Sequence, residues 1–260
     1  MRIYFKYIQV LFRSEMVYKK SFILLCIGQF FVPFSIFFAM FLLFDQFGNL
    51  EGWDFYEVAL LFGVIHLSFA ISEMFFRGFD GFSTLVVNGE FDRILVRPRS
   101  TVLQVLGSKI DFTRIARILQ GLFVLSLALT HIEIQWTFLK GMTVFFMIIG
   151  GIAIMSGLFI IFASMCFWTV QGLEIANIFT DGGREMTQYP LTIYAKGFRI
   201  FFTLIIPFGM VNYVPMQFLM DQTHQVSIIY AFAPLYGLLF LIPSLMIWRF
   251  GVLRYKSTGS

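Results

Sequence analysis

Residues 22–44 read FILLCIGQFFVPFSIFFAMFLLF, 23 consecutive positions without a charged side chain. At 1.5 Å per residue such a helix reaches about 34 Å, enough to cross roughly 30 Å of hydrocarbon. Its apolar side chains lie on every face, which suits lipid and gives a soluble surface helix nowhere to meet water. The rest of the chain agrees: hydrophobic residues make up 58%, charged residues 13%, and 36 positions are Phe. The mean hydropathy is +0.82, whereas soluble domains carry about 25% charged residues. The 260 residues therefore read as one all-α integral membrane domain rather than several soluble ones.

Further apolar runs follow. Phe55–Phe76 holds Glu57, His66 and Glu73; Ile115–Ile134 holds Arg117, His131 and Glu133 near its ends. Gly141–Phe167 is 27 residues without charge, and Ile200–Met220 adds 21 more, interrupted by Pro207 and Pro215. Val226–Trp248 closes the series with Pro234 and Pro243, bringing the expected spans to six, at about 22–44, 55–76, 115–134, 141–167, 200–214 and 226–248. The block at 22–44 is too long for a cleaved leader and lacks a small-x-small exit, so it is expected to stay as a span.

Loop charge sets the expected orientation. With the N-terminus inside, the inner segments hold five Lys/Arg before residue 21, seven from Arg77 to Arg117, three from Arg184 to Arg199 and three after Trp248, leaving only Lys140 outside. The positive-inside rule then places both termini in the cytoplasm. The outer loops are acidic, with Asp45, Glu51, Asp54 and Asp221. A net charge of +4 is thus accounted for by anionic lipid, and no stacking platform or basic groove suggests nucleic acid. Cys26 and Cys166 sit in apolar runs, offering neither a disulfide framework nor a metal signature.

Two segments at the expected inner edge are amphipathic. In residues 1–20, Arg2, Lys6, Gln9, Arg13 and Lys20 recur on one helical face, while Ile3, Tyr7, Ile8 and Leu11 fall largely on others, as in a helix lying on the headgroup boundary. In the loop 77–111, a short helix is expected from Glu90 to Val96, ended by Pro98. Glu90, Arg93 and Arg97 share one face, and Phe91, Ile94 and Leu95 share another. Two turns are marginal alone, so packing of Phe91, Ile94 and Leu95 against another protein is the expected source of stability. Asp181-Gly182-Gly183-Arg184 reads as a turn in a cytoplasmic stretch between Trp168 and Arg199; no GxxxxGK[ST] pattern occurs.

Polar groups inside spans are functional candidates because burying them unpaired is costly. His66 and Glu73 lie seven residues apart on one face; Glu73 can pair with Arg77 at i+4, and His66 with a neighbouring helix. Asp111, Arg114 and Arg117 cluster at the inner end of the third span. Ala153 and Gly157 make a small-xxx-small pair suited to close helix packing. No catalytic constellation is apparent: Ser68 near His66 lacks an orienting third group, and no HExxH occurs.

Two stretches carry a resemblance. Gly89-Glu90-Phe91-Asp92-Arg93-Ile94-Leu95-Val96-Arg97-Pro98 is similar to the G-x-(hydrophobic)-D-x-x-L-x-[RK]-P loop of bacterial ABC-2-type permeases, six-span exporter subunits of this size. Tyr189-Pro190-Leu191-Thr192-Ile193-Tyr194, Ile206-Pro207 and Asn212-Tyr213-Val214-Pro215 resemble the YP-x-x-IY, IP and NY-x-P pattern of the same subgroup. The resemblance implies a plasma-membrane permease pairing with an identical or paralogous permease and with two copies of a cytoplasmic ATPase that binds Mg-ATP, this chain holding no cofactor. It also implies a coupling helix at Glu90, Phe91, Arg93, Ile94, Leu95, Arg97 and Pro98, a packed N-terminal helix, and an outer re-entrant region at 215–227. The residues alone leave two alternatives open: an ion-coupled carrier using His66 and Glu73, or a membrane anchor without transport; His66, Glu73 and Arg114 are candidates for a polar pathway or for a structural role.

Overall fold

The computed structural model describes residues 2–169, 173–221 and 225–256. Among these the chain is built from helices and turns, with one isolated bridge between Leu50 and Trp53. Helix α1 (Arg2–Glu15) leads through a short 3-10 turn into α2 (Lys19–Phe47), followed by α3 (Phe55–Asp80). Three short helices then form α4 (Phe82–Val87), α5 (Glu90–Leu95) and α6 (Thr101–Leu106). Long helices resume with α7 (Ile115–His131) and α8 (Phe138–Met165), before α9 (Leu173–Thr187). The last third comprises α10 (Lys196–Ile200), α11 (Phe208–Val211), α12 (Tyr213–Met220), α13 (Ile229–Phe232) and α14 (Tyr236–Arg254).

Helix α3 is the axis of the molecule: every residue from Val58 to Ala70 is buried. It starts at a cap in which the Asp54 backbone N–H donates to Glu57 Oε2 at 2.9 Å. Its packing depends on small residues. A Cβ at Gly63 would stand 2.9 Å from Leu125 Cα of α7, and one at Gly121 would stand 3.1 Å from Leu67 Cα of α3. The two backbones therefore approach reciprocally, as helices do where lipid offers no hydrophobic drive to associate. Ser68 and Ser72 of α3 donate to the Ile148 and Ile152 carbonyls of α8 at 3.1 and 3.2 Å. The small pair at Ala153 and Gly157 serves contact with α14, since a Cβ on Gly157 would meet Phe240 and Ser244 at 2.8 Å. Helices α2 and α14 lie outside this centre, with Leu24, Phe31, Met246 and Leu253 exposed.

Five helical runs are long and apolar enough to cross a bilayer: Lys6–Phe47, Phe55–Val87, Phe112–His131, Phe138–Met165 and Ile229–Arg254. The expected fifth span is not one helix. Lys196–Ile205 and Phe208–Met220 meet at 77°, forming a broken span or a re-entrant pair. Pro207 explains the break: Ile206 is driven to φ −108°, ψ 98°, the extended conformation that a following proline favours. Just before it, Phe201–Ile205 is a π-helix whose last bond runs from the Ile206 N–H to the Phe201 carbonyl at 3.1 Å. Pro215 bends nothing, because it lies in the first turn of α12, where its missing N–H has no partner to lose. The expected re-entrant region begins inside α12, and its residues 222–224 lie outside those described.

One further expectation is corrected. Asp181–Arg184 is not a turn but the interior of α9, which packs on α3 and α8. Its charges pair along the helix, Arg184 with Asp181 and Glu185. Lys140 belongs to the first turn of α8 and is buried. Its Nζ donates to the Leu219 and Asp221 carbonyls at 2.8 and 3.2 Å, supplying a cation to the carbonyl end of α12.

Candidate functional site

The segment 88–100 is set by Gly89, whose φ of +67° lets the chain reverse between α4 and α5. Helix α5 covers Glu90–Leu95, close to the expected Glu90–Val96. Its apolar face, however, is occupied by this chain itself. Phe91 is fully buried and Ile94 nearly so, both within a core cluster of this chain. Phe91 sits among Phe82, Tyr255, Phe167 and Trp248, with ring centroids at 5.0, 5.1, 5.5 and 6.3 Å. The edge-on geometry of most of these pairs is the favourable one for aromatic quadrupoles. Trp248 Nε1 also donates to Thr101 Oγ1 at 3.0 Å. The turn after α5 is held from beneath by buried Gln104, whose Nε2 donates to the Ile94 and Arg99 carbonyls at 3.1 and 3.2 Å.

What remains outward is a compact rim. Arg93 is 73% exposed and paired loosely with Glu90 at 3.8 Å. Leu95, Val96, Arg97 and Pro98 are exposed, Val96 at 82%. Val96 is the apolar rim residue that helical spacing missed, because the helix ends just before it. A groove of about 230 Å³ runs beside this rim, lined by Tyr7, Leu85, Glu90, Arg93, Ile94, Arg97, Gln104, Gly107 and Ser108. Tyr7 brings α1 into the groove, and α1 also packs Tyr4, Ile8 and Leu11 near Met74, Ile110 and Phe112. The side chains of Arg2 and Ile3 lie outside those described.

A second polar centre lies between the long helices. Glu73 is buried and meets three guanidinium groups: Arg77 at 3.5 Å, Arg114 at 3.3 Å and Arg117 at 2.8 Å. Arg114 also reaches Asp111 at 3.2 Å and donates to Gln29 Oε1 of α2. Helical spacing gives the Arg77 pair; the other two depend on α7 lying against α3. His66 meets Gln188 with Nε2 2.9 Å from Oε1, and Gln188 donates to Glu185 at 2.9 Å. Arg184 pairs with Asp181 at 3.3 Å and Glu185 at 2.7 Å, and its guanidinium lies 4.6 Å above the Phe69 ring. His66, Glu73 and Arg114 therefore do not converge on one point. Glu73 and Arg114 share an ion-pair cluster, and His66 belongs to a neighbouring polar chain contributed by α9. Among the described residues no group of His, Cys, Asp and Glu has the geometry of a metal site.

A polytopic all-helical scaffold, with a charged rim at one end and buried ion pairs between its long helices, defines the class: a multi-pass membrane protein. Comparison with protein families then places it more closely. Residues 30–259 match the family described as ABC-2 family transporter protein, and the chain belongs to that family. It is accordingly an ABC-2-type permease, a membrane subunit of transport. No curated protein and no solved structure matches the chain.

Proposed function

We propose that this permease is the membrane half of an ATP-driven exporter and that the rim around α5 is its coupling surface. A separate cytoplasmic ATPase, present in two copies and carrying Mg-ATP, docks there, and a second permease, identical or paralogous, completes the path. Both termini lie in the cytoplasm of a bacterial cell, and the cargo is hydrophobic or amphipathic. One observation carries the reading. The outward rim of α5 and the turn after it exposes Arg93, Val96, Arg97 and Arg99 beside Glu90 and Asp92, while the inward face of α5 is anchored through Phe91 to Phe82, Phe167, Trp248 and Tyr255. Motion of a docked ATPase would thus reach α8 and α14 as a rigid-body displacement. The docking contacts fall to Arg93, Leu95, Val96, Arg97 and Pro98, with Glu90 at the edge and Phe91 and Ile94 as support.

The test is assembly. Leu95→Glu with Val96→Glu is expected to abolish co-purification of the ATPase and ATP-dependent transport while the permease itself still inserts and elutes as a single species. Retention of both functions would overturn the coupling assignment. Ion-coupled transport through Glu73 has little geometric support, since its carboxylate is already surrounded by three arginines. Transport that stops when the proton gradient is collapsed, yet continues after ATP depletion, would restore that reading.

A further inference from the structure

Between α2, α3, α7 and α9 lies a cavity of about 30 Å³ lined by Val32, Pro33, Ile36, His66, Phe69, Arg117, Gln120 and Arg184. Its chemistry is one-sided. Two guanidinium groups line it, and no carboxylate does. The acids that pair with these arginines approach their terminal nitrogens: Glu73 at Arg117 Nη1, Asp181 at Arg184 Nη1 and Glu185 at Arg184 Nη2. The Nε–H groups of Arg117 and Arg184 have no hydrogen-bond partner among the described residues. Gln120 is fully buried, and neither its Oε1 nor its Nε2 meets a partner there. Unsatisfied buried polar atoms are rare in folded proteins, and each asks for an explanation. Here donors predominate, on a wall whose other members are aliphatic or aromatic.

We infer that this cavity is a binding subsite for a carboxylate. Unpartnered donors at Arg117 Nε, Arg184 Nε and Gln120 Nε2 outnumber the unpartnered acceptor Gln120 Oε1, which selects an oxygen anion over a cation. The volume admits about two oxygen-sized groups, which matches the two oxygens of one carboxylate. On the α2 side the cavity is lined by Val32, Pro33 and Ile36, of which Val32 is 57% exposed on its other side. A carboxylate carried on an acyl chain could therefore enter with its tail along α2, while a free carboxylate would fill the same position. Arg184 and Gln120 hold the anion, and Arg117 balances its charge against Glu73. The inference goes beyond ATPase coupling and does not depend on it, since it concerns this chain alone.

The experiment uses the full chain in nanodiscs of zwitterionic lipid, with thermal unfolding followed in sodium acetate, in oleate, and in sodium chloride at equal ionic strength. Stabilisation by both carboxylates beyond chloride, saturating with concentration, identifies a site that accepts the free anion. Stabilisation by oleate alone identifies one that requires the acyl chain. Gln120→Leu removes the amide, and Gln120→Glu fills the cavity with a carboxylate of its own. Each variant is expected to weaken the response by about tenfold or more in apparent affinity. Gln120→Glu keeps the test decisive if the leucine variant does not fold. No stabilisation of the wild-type chain beyond chloride, or an equal response in wild type and Gln120→Glu, would overturn the subsite. Neither result would touch ATPase co-purification, which reads the α5 rim.

Discussion

Glu73 and Arg93 both form ion pairs, but their surroundings give them different weight. Arg93 is largely solvated, and such pairs contribute about 0–1 kcal/mol; Arg93→Ala is expected to leave the melting temperature nearly unchanged. Glu73 is buried against three arginines; Arg77 and Arg114 keep Asp80 and Asp111, but Glu73→Ala strands Arg117, at a cost of about 3–5 kcal/mol. Thermal unfolding in detergent checks both, and a small effect at Glu73 would mean that water reaches the arginines. Phe91 falls on the same side of the divide as Glu73. Phe91→Ala opens a void in an aromatic cluster and should cost about 3–5 kcal/mol, appearing as loss of folded protein rather than as loss of docking alone. The sequence contained the apolar face of α5 but not its owner: periodicity identifies a face that must be covered without saying which chain covers it. Arg114 and Arg117 were visible as a cluster, whereas their convergence on Glu73 depends on helix packing that spacing along one helix does not encode.

Among the helices, legibility followed the length of uninterrupted apolar sequence. α2, α3, α7 and α8 appear near the residues expected from hydropathy. α9 does not, because Asp181, Arg184 and Glu185 carry the composition of a loop. Their charges are instead satisfied by pairing within the helix, and Gln188 reaches His66 just beyond its end. In the fifth span Pro207 and Pro215 mark interruptions of hydropathy, but the bend itself follows from the constraint that Pro207 places on Ile206, which a hydropathy count does not contain. The bend places Asn212 where its Nδ2 donates to the Thr187 and Leu61 carbonyls at 2.6 and 3.4 Å. Pro207→Ala would allow 196–220 to straighten and draw Asn212 away. The expected result is a lower melting temperature and faster amide exchange across 208–220, and unchanged exchange there would show that the bend is imposed by packing rather than by proline.

At the scale of the whole molecule, the exposed apolar faces of α2 and α14 surround a centre dominated by α3, and the charged rim at Arg93–Arg97 marks one end. In the proposed orientation that rim faces the cytoplasm and the start of α8 faces outward. A cysteine at Val96, in a chain with Cys26 and Cys166 changed to serine, should react with an impermeant maleimide only in inside-out vesicles. A cysteine at Phe138, which is 87% exposed, should react only in right-side-out cells or vesicles. The reverse pattern would invert the topology and move the coupling surface to the wrong side for a cytoplasmic ATPase.

The aromatic seat beneath α5 has a consequence for how such permeases diversify. Phe91 and Ile94 are committed to the fold while Arg93 and Leu95–Arg99 face outward, so the residues proposed to meet the motor are separable from those that hold the scaffold together. On the coupling proposed above, exchanging the outer residues between related permeases would redirect the chain to a different ATPase, provided the ring system that receives them is kept intact.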